Sequence, residues 1–517
     1  MTIDLVMIFF VGLLGLCVGS FLNVVVYRLP AGMSIGRPAR SFCPKCSQSI
    51  AWYDNIPVLS WWLLGARCRH CQAPISVQYP LVEAVTGLSF VAVYYLLFIL
   101  DARVAANQLE HPQDWLLLLT WLVLVAGLIA CSAMDLVSYM VDVRITYTVM
   151  LVGLLGHMAW PRVGFYAERA DTPIAAAAVA AGLVSVVVMW LTVWRESEDE
   201  ESEPPESESP ASGSESAQPS VAVGRVVIVV LGVLAVWLLI ETGLHTHSAR
   251  NGMGGLLPDN IEVYNAVGGI GGLAPEFVVP AVLLALFAIT VLVGGQHREA
   301  DVEVKIAIED EQPQARKMIG HELLWLSPML VAGVGMYFLL AYVPAVQGAW
   351  STVMSWSPGG GFQPVAGLAY GALGLCVGAA AGWVLRIVFT LVFGREALGI
   401  GDIYILAAAG AAGGWDIALL GLILAVGVAL AGYVISLLLK RTLIIPFGPW
   451  LAIGFIVALW LNKPAAGLVQ EYYHGVIVAM DDRPDICFMA GGLMLVGSGV
   501  AVVLAQLVRR LVEPPTK

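Results

Sequence analysis

Two sets of side chains in this sequence are of a type and spacing that does chemistry. The first is "CPKC" at 43–46 and "CRHC" at 68–71. Two Cys-x2-Cys pairs supply four thiolates, Cys43, Cys46, Cys68 and Cys71, which suits tetrahedral structural Zn²⁺. The competing use of four such cysteines is a pair of disulfides. The second set is Asp135, in "SAMDLVSYMVDVRIT", and Asp402, in "GREALGIGDIYILAAAGAAGGW" (394–415). Each sits where an apolar stretch meets a polar one. An ionised carboxylate in apolar surroundings is costly and tends to be functional. Two that approach closely cannot both ionise and come to share a proton. One then acts as general base on a water while the other, protonated, polarises a carbonyl. That is the chemistry of an aspartic protease at a membrane edge. Gly399 and Gly401 let backbone approach a substrate strand beside Asp402. The plainer alternative is two unrelated helix-end caps, since Asp favours helix starts.

These residues need membrane helices to position them. The chain has 517 residues, 59% of them hydrophobic and 12% charged, with mean hydropathy +0.83. A soluble domain carries roughly a quarter charged residues, so most of this chain is expected as transmembrane helix. The apolar runs are continuous rather than alternating, which excludes a β-barrel. The expected class is therefore all-α: a polytopic integral membrane protein in contact with lipid, with about 13 transmembrane helices and a small cytoplasmic four-cysteine loop domain. The spans are placed at 5–28, 79–100, 115–134, 145–160, 173–194, 221–241, 275–295, 324–346, 365–393, 402–414, 416–439, 445–461 and 486–508. Net charge is -12, much of it from one acidic run, and suggests neither an acidic substrate nor nucleic acid.

Charge bias orients the spans. The first segment has no basic n-region and carries Asp4, so it is not a signal peptide. Its first basic residue is Arg28, which puts the N-terminus outside. Loop 29–78 then falls inside, with Arg37, Arg40, Lys45, Arg67 and Arg69 against the single acid Asp54. Lys440-Arg441 and Arg509-Arg510 also fall inside, whereas the acidic loops 101–114 and 462–485 fall outside. This parity places Asp135 and Asp402 together at the cytoplasmic face and the C-terminus in the cytoplasm. Thiols there stay reduced, which argues against the disulfides. Segment 196–220, "ESEDEESEPPESESPASGSESAQPS", is expected as a disordered linker.

Four blocks, in order, resemble the type IV prepilin peptidases, bacterial GxGD aspartic proteases. They are "GSFLNVVVYRLP" (19–30), the cysteine loop from "RSFCPKC" through "DNIPVLSWWLLGARCRHC" to "YPLVEAVTG", "EALGIGDIYILAAAGAAGGW" (396–415) and "IPFGPWLAIG" (445–454). The resemblance implies cleavage of the basic leader of prepilin or pseudopilin substrates at the cytoplasmic face of the bacterial inner membrane, in type IV pilus or type II secretion systems. It also implies S-adenosylmethionine-dependent N-methylation of the new N-terminus. It matches Asp402 to the GxGD aspartate and Asp135 to the first aspartate. The chain departs from the pattern at Asp142-Val143, where the family has Pro-Asp, and at Tyr404, where it has lysine.

The implied organisation is a first helix (1–28), the four-cysteine domain (29–78) and the first half of the membrane core (79–160). Inserted helices follow (161–392), then the second half of the core (393–461), and last a loop, extra helix and tail (462–517). The long insertion motivates a rival reading, a transporter or non-catalytic scaffold of peptidase ancestry. Glu83 and Asp142 are possible substrate or cofactor contacts, with helix-cap, turn or salt-bridge roles as alternatives. Asp259 in "LLPDN" falls on the outside by parity and is set aside. His245 and His247 lack partner cysteines. "HELLW", at His321 and Glu322, lacks the second histidine of a zinc protease. Cys17, Cys131, Cys376 and Cys487 read as core packing, and Trp160, Trp194 and Trp350 as interface anchors.

Overall fold

The computed structural model describes residues 2–38, 40–99, 114–160, 170–202, 315–358, 362–393, 398–438 and 446–461. The regular elements among them are helical. They are α1 (Thr2–Arg28), α2 (Leu59–Leu63), α3 (Gln78–Tyr94), α4 (Trp115–Ser138), α5 (Val143–Ala159), α6 (Pro173–Ser202), α7 (Ala315–Tyr342), α8 (Pro344–Met354), α9 (Pro364–Phe393), α10 (Ile400–Gly413) and α11 (Trp415–Leu438), followed by α12 (Gly448–Leu461). Among the described residues, five helices are long and apolar enough to cross a membrane: α1, α3 with its π-helical extension to Ile99, α4, α7 and α9. The protein is thus an all-α, multi-pass membrane protein. The spans expected at 221–241, 275–295 and 486–508 lie outside the described residues, as do Cys487, Asp259, His245 and His247. The other expected spans coincide with helices.

Three helices meet almost at backbone contact. A Cβ on Gly374 of α9 would lie 2.1 Å from the Gly410 carbonyl oxygen of α10. One on Gly378 would lie 2.2 Å from Leu406 O, and one on Gly153 of α5 2.7 Å from the Ala411 backbone. Lipid offers no hydrophobic drive for helix association, so such small-residue contacts supply the packing. They seat α10 between α5 and α9, with Leu406, Ala409 and Ala412 buried.

Of the helices in the expected insertion, α9 packs centrally against α10, whereas α6 and α7 attach at one edge. Ala175 and Ala178 of α6 pack against Leu373 of α9, and Gly333 of α7 packs on Ala177. Helix α7 begins at Ala315, before the expected span at 324, and passes through Pro328 unbroken. Pro328 cannot donate to the carbonyl of Leu324, and the Ser327 hydroxyl supplies that bond at 2.7 Å. Outward residues such as Leu324 and Val331 are exposed, as expected of a lipid-facing surface. Helix α6 runs to Ser202, so the first residues of the acidic run are helical, consistent with the helix propensity of Glu. The rest of 196–220 lies outside the described residues.

Two expectations are corrected. Trp160 is not an interface anchor: it is 1% exposed, and its indole N–H donates to Asp114 Oδ1 at 2.6 Å. Trp350 is tied inward in the same way, donating to Ala170 O at 3.0 Å. Cys17 lies exposed on α1 rather than in the core, whereas Cys131 is buried.

The glycine contacts generate a paired test. Gly374→Ala forces α9 and α10 apart at a cost of roughly 1–3 kcal/mol. Gly335→Ala, where an added Cβ meets nothing within 4 Å, is neutral or slightly stabilising. Thermal melts of the two variants in detergent should therefore move in different directions, with Gly374→Ala clearly below the wild type.

Candidate active site and metal centre

The loop after α1 is built from two copies of one knuckle, offset along the chain. In the first, Cys43 N donates to Gln48 O and Ser47 N to Cys43 O. In the second, Cys68 N donates to Ala73 O and Gln72 N to Cys68 O. Isolated bridges pair Phe42 with Ser49 and Arg67 with Pro74. Ser47 and Gln72, one past each second cysteine, both adopt positive φ, 58° and 55°. This tight turn aims both thiols of a pair the same way. The four sulfurs all lie within 4.8 Å of one another, and Cys43 and Cys71 Sγ are 3.8 Å apart. A tetrahedral ion with bonds of ~2.3 Å needs sulfurs ~3.8 Å apart, so the donor set fits. The described cysteines are free thiols, not disulfides. The N–H groups of Cys71 and then His70 bond the Cys68 sulfur and draw its thiol down to about 6, whereas, against the pull of the Gln48 amide, burial and the three neighbouring cysteines push Cys46 up to about 11, so without an ion the thiols do not all ionise together.

Several contacts fix this unit to the membrane helices. Arg28, at the end of α1, is 3% exposed. Its guanidinium donates to the carbonyls of Ile35 (2.7 Å), Pro38 (2.9 Å), Ser34 (3.2 Å) and Arg40 (3.3 Å). The sequence marks Arg28 only as a topology signal. Within the unit itself, Arg69 grips Asp54 with two bonds of 2.7 and 2.6 Å. Glu83, in α3, accepts from Val58 N at 2.6 Å, so it holds a corner of the loop where Val58 has φ 62°. That is neither the helix cap nor the salt bridge considered for it. A cavity of about 340 Å³ lies between the unit and the helix ends, with Asn23, Tyr27, Asp54, Trp61, Tyr79 and Glu83 in its wall.

The carboxylates lie at the same end of the bundle. The four-cysteine unit joins the end of α1 to the start of α3, and Asp135 is in the last turn of α4. Asp135 is 7% exposed, and its Oδ2 accepts from Gly448 N at 3.1 Å. Gly448 opens α12, and a Cβ there would come within 2.6 Å of that oxygen. Asp402 is the third residue of α10, and its carboxylate accepts from the N–H of Gly399, the N-cap. Each carboxylate is thus met by an amide at a helix start, where the dipole favours an anion. Gly401 packs on Val141, which follows α4: an added Cβ would be 3.0 Å from Val141 Cβ. This contact brings the start of α10, which carries Asp402, to the end of α4, which carries Asp135. Asp402 also has the reach-back bond of a capping box. Asp135, at a helix C-terminal end, is not a cap.

Tyr404 packs edge-to-face on Tyr147 of α5, with ring centroids 5.6 Å apart, joining α10 to α5 two residues on from Asp402. Asp142 is the N-cap of α5 and accepts from Arg144 N at 2.8 Å. The Arg144 guanidinium, bonded to the same carboxylate, holds it below the usual carboxylate range. Asp142 is therefore engaged as a cap. Reasoning from sequence missed Gly448, although it lies within "IPFGPWLAIG".

The Bacterial Peptidase A24 N-terminal domain matches residues 13–97, which cover the four-cysteine unit and its flanking helices. The chain is 35% identical over 191 residues to a prepilin leader peptidase/N-methyltransferase of Klebsiella pneumoniae, an alignment spanning 36% of this chain and 72% of that protein. The chain belongs to the prepilin leader peptidase family. The Myxococcus xanthus (strain DK1622) prepilin leader peptidase/N-methyltransferase is 41% identical over 191 residues, 37% of this chain and 50% of the relative. A type 4 prepilin-like proteins leader peptide-processing enzyme of Escherichia coli O78:H11 is 37% identical over 164 residues, 28% of this chain and 54% of the relative. The chain thus spans about half the length of two of these relatives and nearly three quarters of the third. No solved structure matches.

The Asp142 cap gives a pH-dependent prediction. Its depressed folded value means that the ion pair contributes fully above the ordinary carboxylate value of about 3.9. The contribution is lost as pH falls through the folded value. Asp142→Ala should cost about 1 kcal/mol at neutral pH, and Asp142→Asn, which still caps, should cost less. In melts across pH, the gap between wild type and Asp142→Asn should be constant at neutral pH and close in acid.

Proposed function

We propose that this chain is an inner-membrane aspartic endopeptidase that removes the leader of type IV prepilin or pseudopilin substrates at the cytoplasmic face. We further propose that it methylates the new N-terminus. The observation that supports the peptidase reading is the packing of Gly401, beside Asp402 in the first turn of α10, on Val141, just past the end of α4 that carries Asp135. One carboxylate takes a proton from water as that water attacks the scissile carbonyl. The other, protonated, gives its proton to the carbonyl oxygen; the first then passes the proton it took from water to the leaving amine, and the second regains its own from the gem-diol as it collapses. Gly448 N–H and Gly399 N–H orient the two groups. Gly399 and Gly401 leave room for an extended substrate strand beside Asp402. In this reading the N-terminus is outside and the C-terminus cytoplasmic.

Cys43, Cys46, Cys68 and Cys71 would hold structural Zn²⁺, which fixes the fold of the unit and takes no part in hydrolysis. The names of the relatives support the methyl transfer. The cavity under the unit lies in the size range of small-molecule sites and is our proposed seat for S-adenosylmethionine. Its aromatic rings and the Glu83 carboxylate suit a sulfonium cation. The transporter or scaffold reading is less well supported, because a transporter gathers polar groups near mid-membrane in broken helices. Here Asp135 is in the last turn of its helix and Asp402 in the first turn of its own.

The test is mass spectrometry of a prepilin co-expressed in a host without its own peptidase. Asp135→Asn and Asp402→Asn should each reduce trimming by roughly 10²–10⁴-fold. Gly448→Ala should reduce it less, by displacing Asp135. Equal trimming by all variants would overturn the assignment. For the metal, elemental analysis should find about one zinc per chain in the wild type and a loss of it in Cys68→Ser. Glu83→Gln, which keeps an acceptor for Val58 N–H, should lower methylation while trimming stays within about twofold.

A further inference from the structure

Helix α7 lies in the stretch proposed as an insertion, and neither proposed activity uses it. Near its start, Glu322 Oε1 accepts from Arg386 Nε at 3.1 Å and from Nη2 at 2.8 Å. Arg386 belongs to α9 and is 2% exposed. Its remaining nitrogen, Nη1, donates to the carbonyl oxygen of Leu398. Leu398 is buried and immediately precedes Gly399, the N-cap of α10. One guanidinium thus links the inserted helix to the residue that starts the Asp402 helix.

The first turn of α10 needs such a link. It is built on Gly399 and Gly401, which by themselves leave the backbone permissive. A buried guanidinium can hold Leu398 O only while its charge is compensated, since an unpaired charge at this depth is costly. Glu322 supplies that compensation from α7. The planar fork of Arg fixes both partners at once, which the point charge of Lys does not do. Among the described residues, helix α7 also packs on α6 and α8, and its Trp325 makes an aromatic contact with Trp383 of α9.

We propose that Arg386 is a positioning residue for Asp402, held in place by Glu322, so that the inserted helix α7 sets the geometry of the carboxylate pair. This rests on the peptidase reading. It differs from a simple staple of α7 to α9, in which the pair would matter only for folding.

The deciding variant is Glu322→Leu with Arg386→Met. An apolar pair of similar volume keeps α7 and α9 packed without buried charge but leaves Leu398 O without its donor. Purified from membranes as a monodisperse species, it should trim prepilin with kcat about tenfold down and KM within about twofold. Glu322→Gln, which keeps a neutral acceptor, should fall between it and the wild type. Independently of activity, maleimide uptake at Asp402→Cys, read by peptide mass, should change about threefold in the apolar-pair background. Wild-type kcat and unchanged labelling in either variant would overturn the proposal. A wild type that fails to trim would count against the peptidase reading, and the labelling arm would still decide the positioning role.

Discussion

Helix α10 reaches Asp135 only because its neighbours come to backbone contact with it. With Gly374, Gly378 and Gly153 facing it, α10 lies closer to α9 and α5 than helices bearing ordinary side chains could. That depth carries the start of α10 to Val141, just past the end of α4, where Gly401 leaves space. It also leaves Asp402 on a first turn with little side-chain packing of its own. The position of that carboxylate then depends on contacts from outside the helix: the Gly399 amide, Tyr404 against Tyr147, and the Arg386 bond to Leu398.

The second carboxylate is held by a different device. Asp135 is in the last turn of α4, the wrong end of a helix for an anion. The amide of Gly448 at the start of α12 supplies what α4 does not, and only glycine leaves room for the carboxylate there. The two acids thus come from two helices, and each takes its amide from a helix start. In the proposed topology the four-cysteine unit, tied down by Arg28 and Glu83, lies at the same end, so the proposed cleavage and methyl-transfer sites share one face. A substrate N-terminus released at the carboxylates would not have to cross the membrane to be methylated.

Much of this was legible in the sequence because its signals are local. Hydropathy marked the described helices, and Cys-x2-Cys spacing marked the thiols that converge within 4.8 Å. The run of glycines before Asp402 marked a permissive turn. What was not legible depends on partners far apart in the chain. Gly448 meets Asp135 across three hundred intervening residues. Glu322 was set aside as half of an incomplete zinc motif, and its actual partner is on another helix. Trp160 had the flanks of an interface anchor, and only the fold brings Asp114 to its indole nitrogen. Pro328 would be expected to break a helix, but the hydroxyl of its neighbour restores the lost bond.

The central claim is that Asp135 and Asp402 face one another in a single site. Paired substitution, Asp135→Cys with Asp402→Cys, followed by a short thiol-bridging reagent such as dibromobimane and peptide mass analysis, tests it most directly. The account predicts an intramolecular bridge between the peptides containing residues 135 and 402, formed in native membranes and lost when α10 is displaced by Gly374→Leu. Both positions reacting singly, with no bridge between them, would contradict it.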